Sequence, residues 1–148
     1  MELCEISQIK EPYRDMHYTL SRHDPVLLYR GSYKGYEFCC VSHGTHPCAY
    51  VAVAKGQPYY DATDYDEVSD LNCHGGCTYV AGGFWNQFSE DLTVLGWDYA
   101  HTGDFYGSYY TDTFRQQLKK WTTTEIVLEC YKVIDQLYAR EHSLIYYK

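Results

Sequence analysis

The chain lacks any run of about 18 apolar residues, so no segment reads as a membrane-crossing helix. It opens Met1-Glu2-Leu3-Cys4-Glu5-Ile6, without the basic-then-apolar order of a secretory leader, and a cytoplasmic location is expected. Basic residues are few: 12 Lys and Arg stand against 20 Asp and Glu, a formal net charge of −8. That balance excludes nonspecific nucleic-acid binding, which needs clustered cations. It fits an acidic protein kept apart by its own charge, or an acidic surface offered to a basic partner. No C-x-x-C pair occurs among the seven cysteines (4, 39, 40, 48, 73, 77 and 130), so paired zinc knuckles are missing. Reduced thiols are expected, buried as small apolar groups. Cys73 and Cys77 with Cys48 or His46 form the only zinc set worth testing.

What the chain has in excess is tyrosine, 18 of 148 residues. A flat ring with a polar tip suits pockets for planar ligands and equally suits a small core with its hydroxyls at the surface. The length fits one domain spanning 1–148, with a core over about 26–140 and a weakly patterned segment over 1–25. In that segment Glu11-Pro12 and Asp24-Pro25 are breaks, with a short helix through Tyr13, Met16 and Leu20 between them.

From Val26 the pattern is β. Val26–Arg30, Tyr36–Val41 and Cys48–Val53 read as strands joined by Gly31–Gly35 and Ser42–Pro47, a meander of antiparallel neighbours. Residues 54–69 read as an acidic loop. Asp61, Asp64 and Asp66 lack the central glycine of a calcium loop. Asp70–Cys73 reads as the start of a further strand, Cys77–Val80 returns to β character, and Gly82-Gly83 and Asn86 mark an irregular stretch. Thr93–Trp97 is a strand ending at Asp98, followed by Gly- and Tyr-rich loop to Thr113. Phe114–Lys120 reads as a turn or short helix.

The C-terminal helix carries the strongest local signals. Thr122-x-x-Glu125 is a capping box, with Trp121 and Ile126 placed as a hydrophobic staple. Val127, Cys130, Ile134 and Leu137 recur on one face, and the helix should end near Arg140. The expected fold is α+β: an antiparallel sheet of about five strands with one long C-terminal helix packed on a face.

Candidate chemistry gathers between Asp70 and Asp104. Asp98, His101 and Asp104 fall three residues apart where Gly96, Gly103 and Gly107 rule out a continuous helix. A sharp turn at a strand end would point Asp98 and His101 back over the sheet. An aspartate beside a histidine fixes the imidazole tautomer. His74, next to a glycine pair, could face His101, and two histidines across a cleft can share acid and base roles in phosphoryl transfer or hydrolysis. Catalytic roles are therefore assigned to His74, His101, Asp98 and Asp104. Ligand-binding roles are assigned to Gly75 and Gly76 (backbone approach to an anion), Thr78 and Tyr79 (hydrogen bonds), and Trp97 and Tyr99 (stacking on a base). A divalent metal held with Asp98 or Asp104 is an open possibility, and a buried polar network is the alternative to a ligand site.

His74-Gly75-Gly76-Cys77-Thr78-Tyr79 and Gly96-Trp97-Asp98-Tyr99-Ala100-His101-Thr102-Gly103-Asp104 resemble a family of small phage- and prophage-encoded proteins marked by H-G-G-x-T-Y and G-[FW]-D-x-A-H-x-G-D. The resemblance covers roughly residues 28–138. Cys77 departs from the larger apolar residue expected there. The resemblance implies a protein of the host-cell cytosol that counters host defence. The expected activity is phosphodiesterase-like hydrolysis of a nucleotide or cyclic-nucleotide signal. The alternatives are sequestration of such a signal without reaction, in which the chain could act as a homo-oligomer, and direct inhibition of a host defence protein through acidic, Tyr-rich contacts.

Overall fold

The computed structural model describes residues 9–12, 26–84, 87–105 and 118–146. Strands β1 (Val26–Tyr33), β2 (Tyr36–Ser42), β3 (Pro47–Val53), β4 (Tyr79–Phe84) and β5 (Phe88–Asp98) form one sheet, and α1 (Thr123–Tyr146) follows. The order across the sheet is β1-β2-β3-β5-β4, every neighbouring pair antiparallel. The α+β architecture is thus the one expected, and the first three strands form the meander. Lys34 and Gly35 turn between β1 and β2 with φ of 50° and 83°, the double left-handed geometry that matches the twist of a tight hairpin. This moves the turn past Gly31, which lies within β1.

Alternation along the strands builds two apolar faces. Phe38, Cys40, Ala49, Val51, Leu95 and Trp97 face α1, where they meet Ile126, Cys130, Val133, Ile134 and Leu137. The helix stripe is shifted slightly from expectation: Ile126 and Val133 are fully in the core, while Val127 is half-buried. Cys39, Val41, Cys48, Tyr50, Ala52 and Val94 cover the other face together with Phe88. β1 and the β4–β5 pair stand at opposite sides of the sheet, yet the Arg30 guanidinium donates to the carbonyl of Gln87. The end of the β4–β5 hairpin therefore folds across that second face, with Phe88 as its apolar anchor.

The helix cap is the expected one. The Thr122 amide donates to Glu125 Oε1 at 3.0 Å and the Glu125 amide donates to Thr122 Oγ1 at 3.2 Å. Trp121 packs against the core that holds Ile126. Residues 9–12 close the same end: the Thr123 amide donates to Glu11 Oε2 at 3.0 Å and its hydroxyl to the carbonyl of Lys10.

Three expectations are corrected, and a fourth, the irregular stretch at Gly82-Gly83, is met only as a register shift inside a strand. Asp70–Cys73 is not a strand. Leu71 and Cys73 do alternate into the core, but the partner of this segment is a side chain: Gln136 accepts from the Asn72 amide at 2.8 Å and donates to the Asn72 carbonyl at 2.7 Å. The carboxamide thus supplies the donor and acceptor that a neighbouring strand would. Gly82 and Gly83 lie inside β4, where an edge strand tolerates glycine at its register shift. β5 starts at Phe88, five residues early, because Ser89, Glu90 and Asp91 are exposed and hide the apolar alternation. α1 continues past Arg140, held by the Tyr36 hydroxyl donating to Glu141 Oε1 at 2.8 Å. The helix expected through Tyr13–Leu20, Asn86, and most of the loop and turn expected over 106–117 lie outside the described residues.

Candidate functional site

The site forms where β5 runs out. The Tyr99 amide still bonds the carbonyl of Pro47 at 3.0 Å, extending the β3–β5 ladder by one step. The chain then turns: the Ala100 amide donates to Asp98 Oδ1 at 3.1 Å and the Asp104 amide to the carbonyl of His101 at 2.9 Å. Asp104 closes the turn from its other end, accepting the His101 amide on Oδ2 at 3.0 Å. Residues 103–105 then pair in parallel with Lys119, whose amide donates to Gly103 and whose carbonyl accepts from Phe105. This pairing brings the approach to α1 against the turn.

His74 enters from the opposite side. Its ring lies flat on Tyr99, centroids 4.5 Å apart at 10°, and meets Trp121 nearly edge-on at 4.8 Å. Its Nε2 lies 2.7 Å from Asp104 Oδ2. A carboxylate only accepts, so this nitrogen carries the proton. The Trp121 indole N–H donates to Asp104 Oδ1 at 2.7 Å. Asp104, 2% exposed, thus receives three N–H donors. Buried carboxylates require such company. It also fixes its role: Asp104 orients His74, with both oxygens already directed at donors.

His101 is the second imidazole. Its Nε2 is 3.1 Å from Asp98 Oδ1, but the approach is out of line, and among the described residues this buried nitrogen has no directed hydrogen bond. Gly75 covers it. A Cβ built on Gly75 would fall 2.2 Å from His101 Nε2, and its φ of +70° is one that side chains disfavour. Glycine at 75 is what lets His101 lie against the His74 loop. The two imidazole centroids are 5.7 Å apart at 67°. Side chains of His74 and His101 are 21% and 34% exposed, so both rings reach solvent while each Nε2 faces its carboxylate. Among the described residues neither Nδ1 has a hydrogen-bond partner. The geometry is that of two histidine–aspartate units side by side: His74 is held through Nε2 by Asp104, while His101 only lies near Asp98 with its Nε2 lacking a directed hydrogen bond among the described residues.

Six of the expected site residues meet here: His74, His101, Asp98, Asp104, Gly75 and Gly76, whose amide closes the turn onto the carbonyl of Cys73 at 2.9 Å. The others do not converge as expected. Trp97 is 2% and Tyr99 0% exposed, so neither ring has a face left for a base, and the stacking role is corrected. Trp97 fills the core and donates its N–H to the Tyr99 hydroxyl at 3.1 Å, while Tyr99 is the platform beneath His74. Burial pushes the Tyr99 hydroxyl far above its ordinary pKa, so it stays a neutral phenol. Tyr79 turns to the face away from α1, edge-on to Tyr50 at 5.4 Å. Thr78 is exposed, and its amide bonds the carbonyl of Gly96 at 2.9 Å.

Trp121 and Lys119 also belong to the site, though the local sequence pattern does not mark them for it. Trp121 was legible as a staple residue, but nothing local marks it as a donor to Asp104. The Lys119 ammonium sits 3.9 Å over the Trp121 ring and pairs with Glu125 Oε2 at 2.7 Å. The zinc set does not assemble: among the described residues no group of three or more His, Cys, Asp or Glu is arranged to hold a metal ion. Cys39, Cys40, Cys48, Cys73, Cys77 and Cys130 are buried thiols. Burial pushes Cys73 up to about 12 and also raises Cys77, which keeps both protonated and poor as ligands or nucleophiles. No protein-family model matches the chain, and it matches no curated protein and no solved structure.

Proposed function

We propose that the paired histidines form an acid/base site that hydrolyses a phosphodiester bond in a nucleotide or cyclic-nucleotide signal. The observation that carries this reading is the 5.7 Å separation of two partly exposed imidazoles, each with a carboxylate at its Nε2. One imidazole takes a proton from water as the water oxygen bonds to phosphorus. The other, protonated, gives its proton to the ester oxygen as the P–O bond breaks. Solvent then restores both rings. Asp104 orients His74, and Asp98, 3.1 Å from His101 Nε2, meets the charge when that ring is protonated. The biological setting proposed is that of a phage protein acting in the host cytosol against a defence signal, and it rests on the two motifs.

The alternative within the same pocket is a module that holds the nucleotide without reacting. The test is incubation with a panel of cyclic and linear nucleotides, followed by chromatography before and after heat denaturation. A new product peak, lost in His101→Ala and His74→Ala, supports hydrolysis. A nucleotide that vanishes and returns intact on heating supports sequestration. A nucleotide pool unchanged throughout removes both readings.

A further inference from the structure

We infer that Trp121 is a positioning residue: its indole N–H locks the Asp104 carboxylate, and through it the ring of His74, in the orientation the site needs. The inference rests on the acid/base reading for its bearing on turnover, but its geometric content stands apart from that reading.

Three observations converge. First, Asp104 Oδ1 accepts from Trp121 Nε1 at 2.7 Å, while Oδ2 accepts from His74 and from the His101 amide. The three donors come from three separate stretches of chain, so the carboxylate cannot turn about its Cβ–Cγ bond without breaking all of them. Second, the carboxylate is almost wholly buried. Without the indole, Oδ1 loses its one protein donor at a buried position, and the carboxylate is free to redistribute its bonds to the His74 and His101 N–H groups. His74 then loses a fixed acceptor and with it a fixed tautomer. Third, Trp121 is itself held. It precedes the helix cap, packs on the core, and carries the Lys119 ammonium on its ring while Lys119 pairs with the capping Glu125. The helix start thus supplies a rigid donor to a turn far from it in sequence.

The discriminating variant is Trp121→Phe. It keeps an aromatic ring at the staple and under Lys119 and removes the N–H. Three measurements are made on the full chain: thermal unfolding, the ring-nitrogen NMR signature of His74 above neutral pH, and turnover of whichever nucleotide the wild type cleaves. The expected result is a folded protein in which His74 changes from a single Nε2–H tautomer to a mixture. Asp104→Asn, which converts the acceptor itself, should show the same change. Turnover should fall about 10- to 100-fold through kcat with KM little altered, the pattern of a misoriented acid or base rather than a lost ligand contact. A folded Trp121→Phe with the wild-type His74 signature overturns the inference. So does a variant that fails to fold while Trp121→His, which restores a ring N–H, fails equally, for then the indole is only packing. If the tautomer changes as expected but the wild type cleaves no nucleotide, the acid/base reading falls and the positioning role of Trp121 stands.

Discussion

Gly75→Ala isolates the contact on which the paired-histidine geometry depends. Two costs arise. The φ of +70° at Gly75 is left-handed, and placing an alanine there costs roughly 1–2 kcal/mol. The new Cβ would also sit 2.2, 2.3 and 2.7 Å from His101 Nε2, Cδ2 and Cε1, inside any tolerable approach, so the imidazole must swing away by an ångström or more. The ring is the far end of a rotatable side chain, so this second cost falls on geometry more than on stability. Gly56→Ala is the control: its φ is +92° and a Cβ there meets nothing within 4 Å. Both variants should therefore lose about 1–2 kcal/mol in urea unfolding. Only Gly75→Ala should shift the His101 ring signals and lower turnover, by about 100-fold for a displacement of this size. Equal stability losses with His101 signals and turnover unchanged in Gly75→Ala would refute the argument.

Asp104→Asn presents an NH2 or a single carbonyl to three N–H donors, and at least one donor is left facing another. The loss should be about 2–4 kcal/mol, read by urea unfolding. Glu125 has a folded pKa below its ordinary 4.5 because Lys119 and the Thr122 amide and hydroxyl hold it ionised, against a burial effect that opposes them. Its contribution is therefore present above about pH 4.5 and is lost as pH falls through the lowered folded value. Glu125→Gln should flatten that acid limb in a series of melting curves. Gln136→Leu removes both bonds to Asn72 and should speed exchange of the Asn72 amide while costing about 1 kcal/mol overall, since the site is exposed. Ile134→Ala empties a fully buried helix position against the sheet and should cost 2–5 kcal/mol, a range typical of such truncations, read in the same unfolding assay.

The parts of the fold that were legible are those whose signals are local. The capping box at Thr122 and Glu125, the meander of β1 to β3, and the helix stripe at Cys130, Ile134 and Leu137 each follow from propensity and period. Where the structure departs from the local pattern, the deciding partner is distant in sequence. The period-two pattern of Leu71 and Cys73 is genuine, but Gln136, 64 residues from Asn72, takes the place of the neighbouring strand. Glycines in β4 look like a break until β4 is seen to be an edge strand paired along β5. The same holds at the site. Asp98, His101 and Asp104 could be read as a turn with charged ends, and His74 as its partner across a glycine pair. Trp97 and Tyr99 depart from expectation because an aromatic next to a polar motif looks like a ligand platform, whereas strand alternation sends Trp97 inward and ladder extension carries Tyr99 with it. Trp121, 17 residues beyond Asp104, leaves no trace of its donor role in the local pattern.

The central claim is that the two histidines act together on a phosphodiester. The direct measurement is the rate at which the purified protein converts members of a cyclic and linear nucleotide panel, compared with His74→Ala, His101→Ala and the double variant. The account predicts a product from the wild type, losses of 100- to 10,000-fold in each single variant, the usual worth of one acid or base, and a double variant scarcely slower than either, since each needs the other. A wild type that leaves every nucleotide intact, or a double variant that turns one over at the wild-type rate, would contradict it.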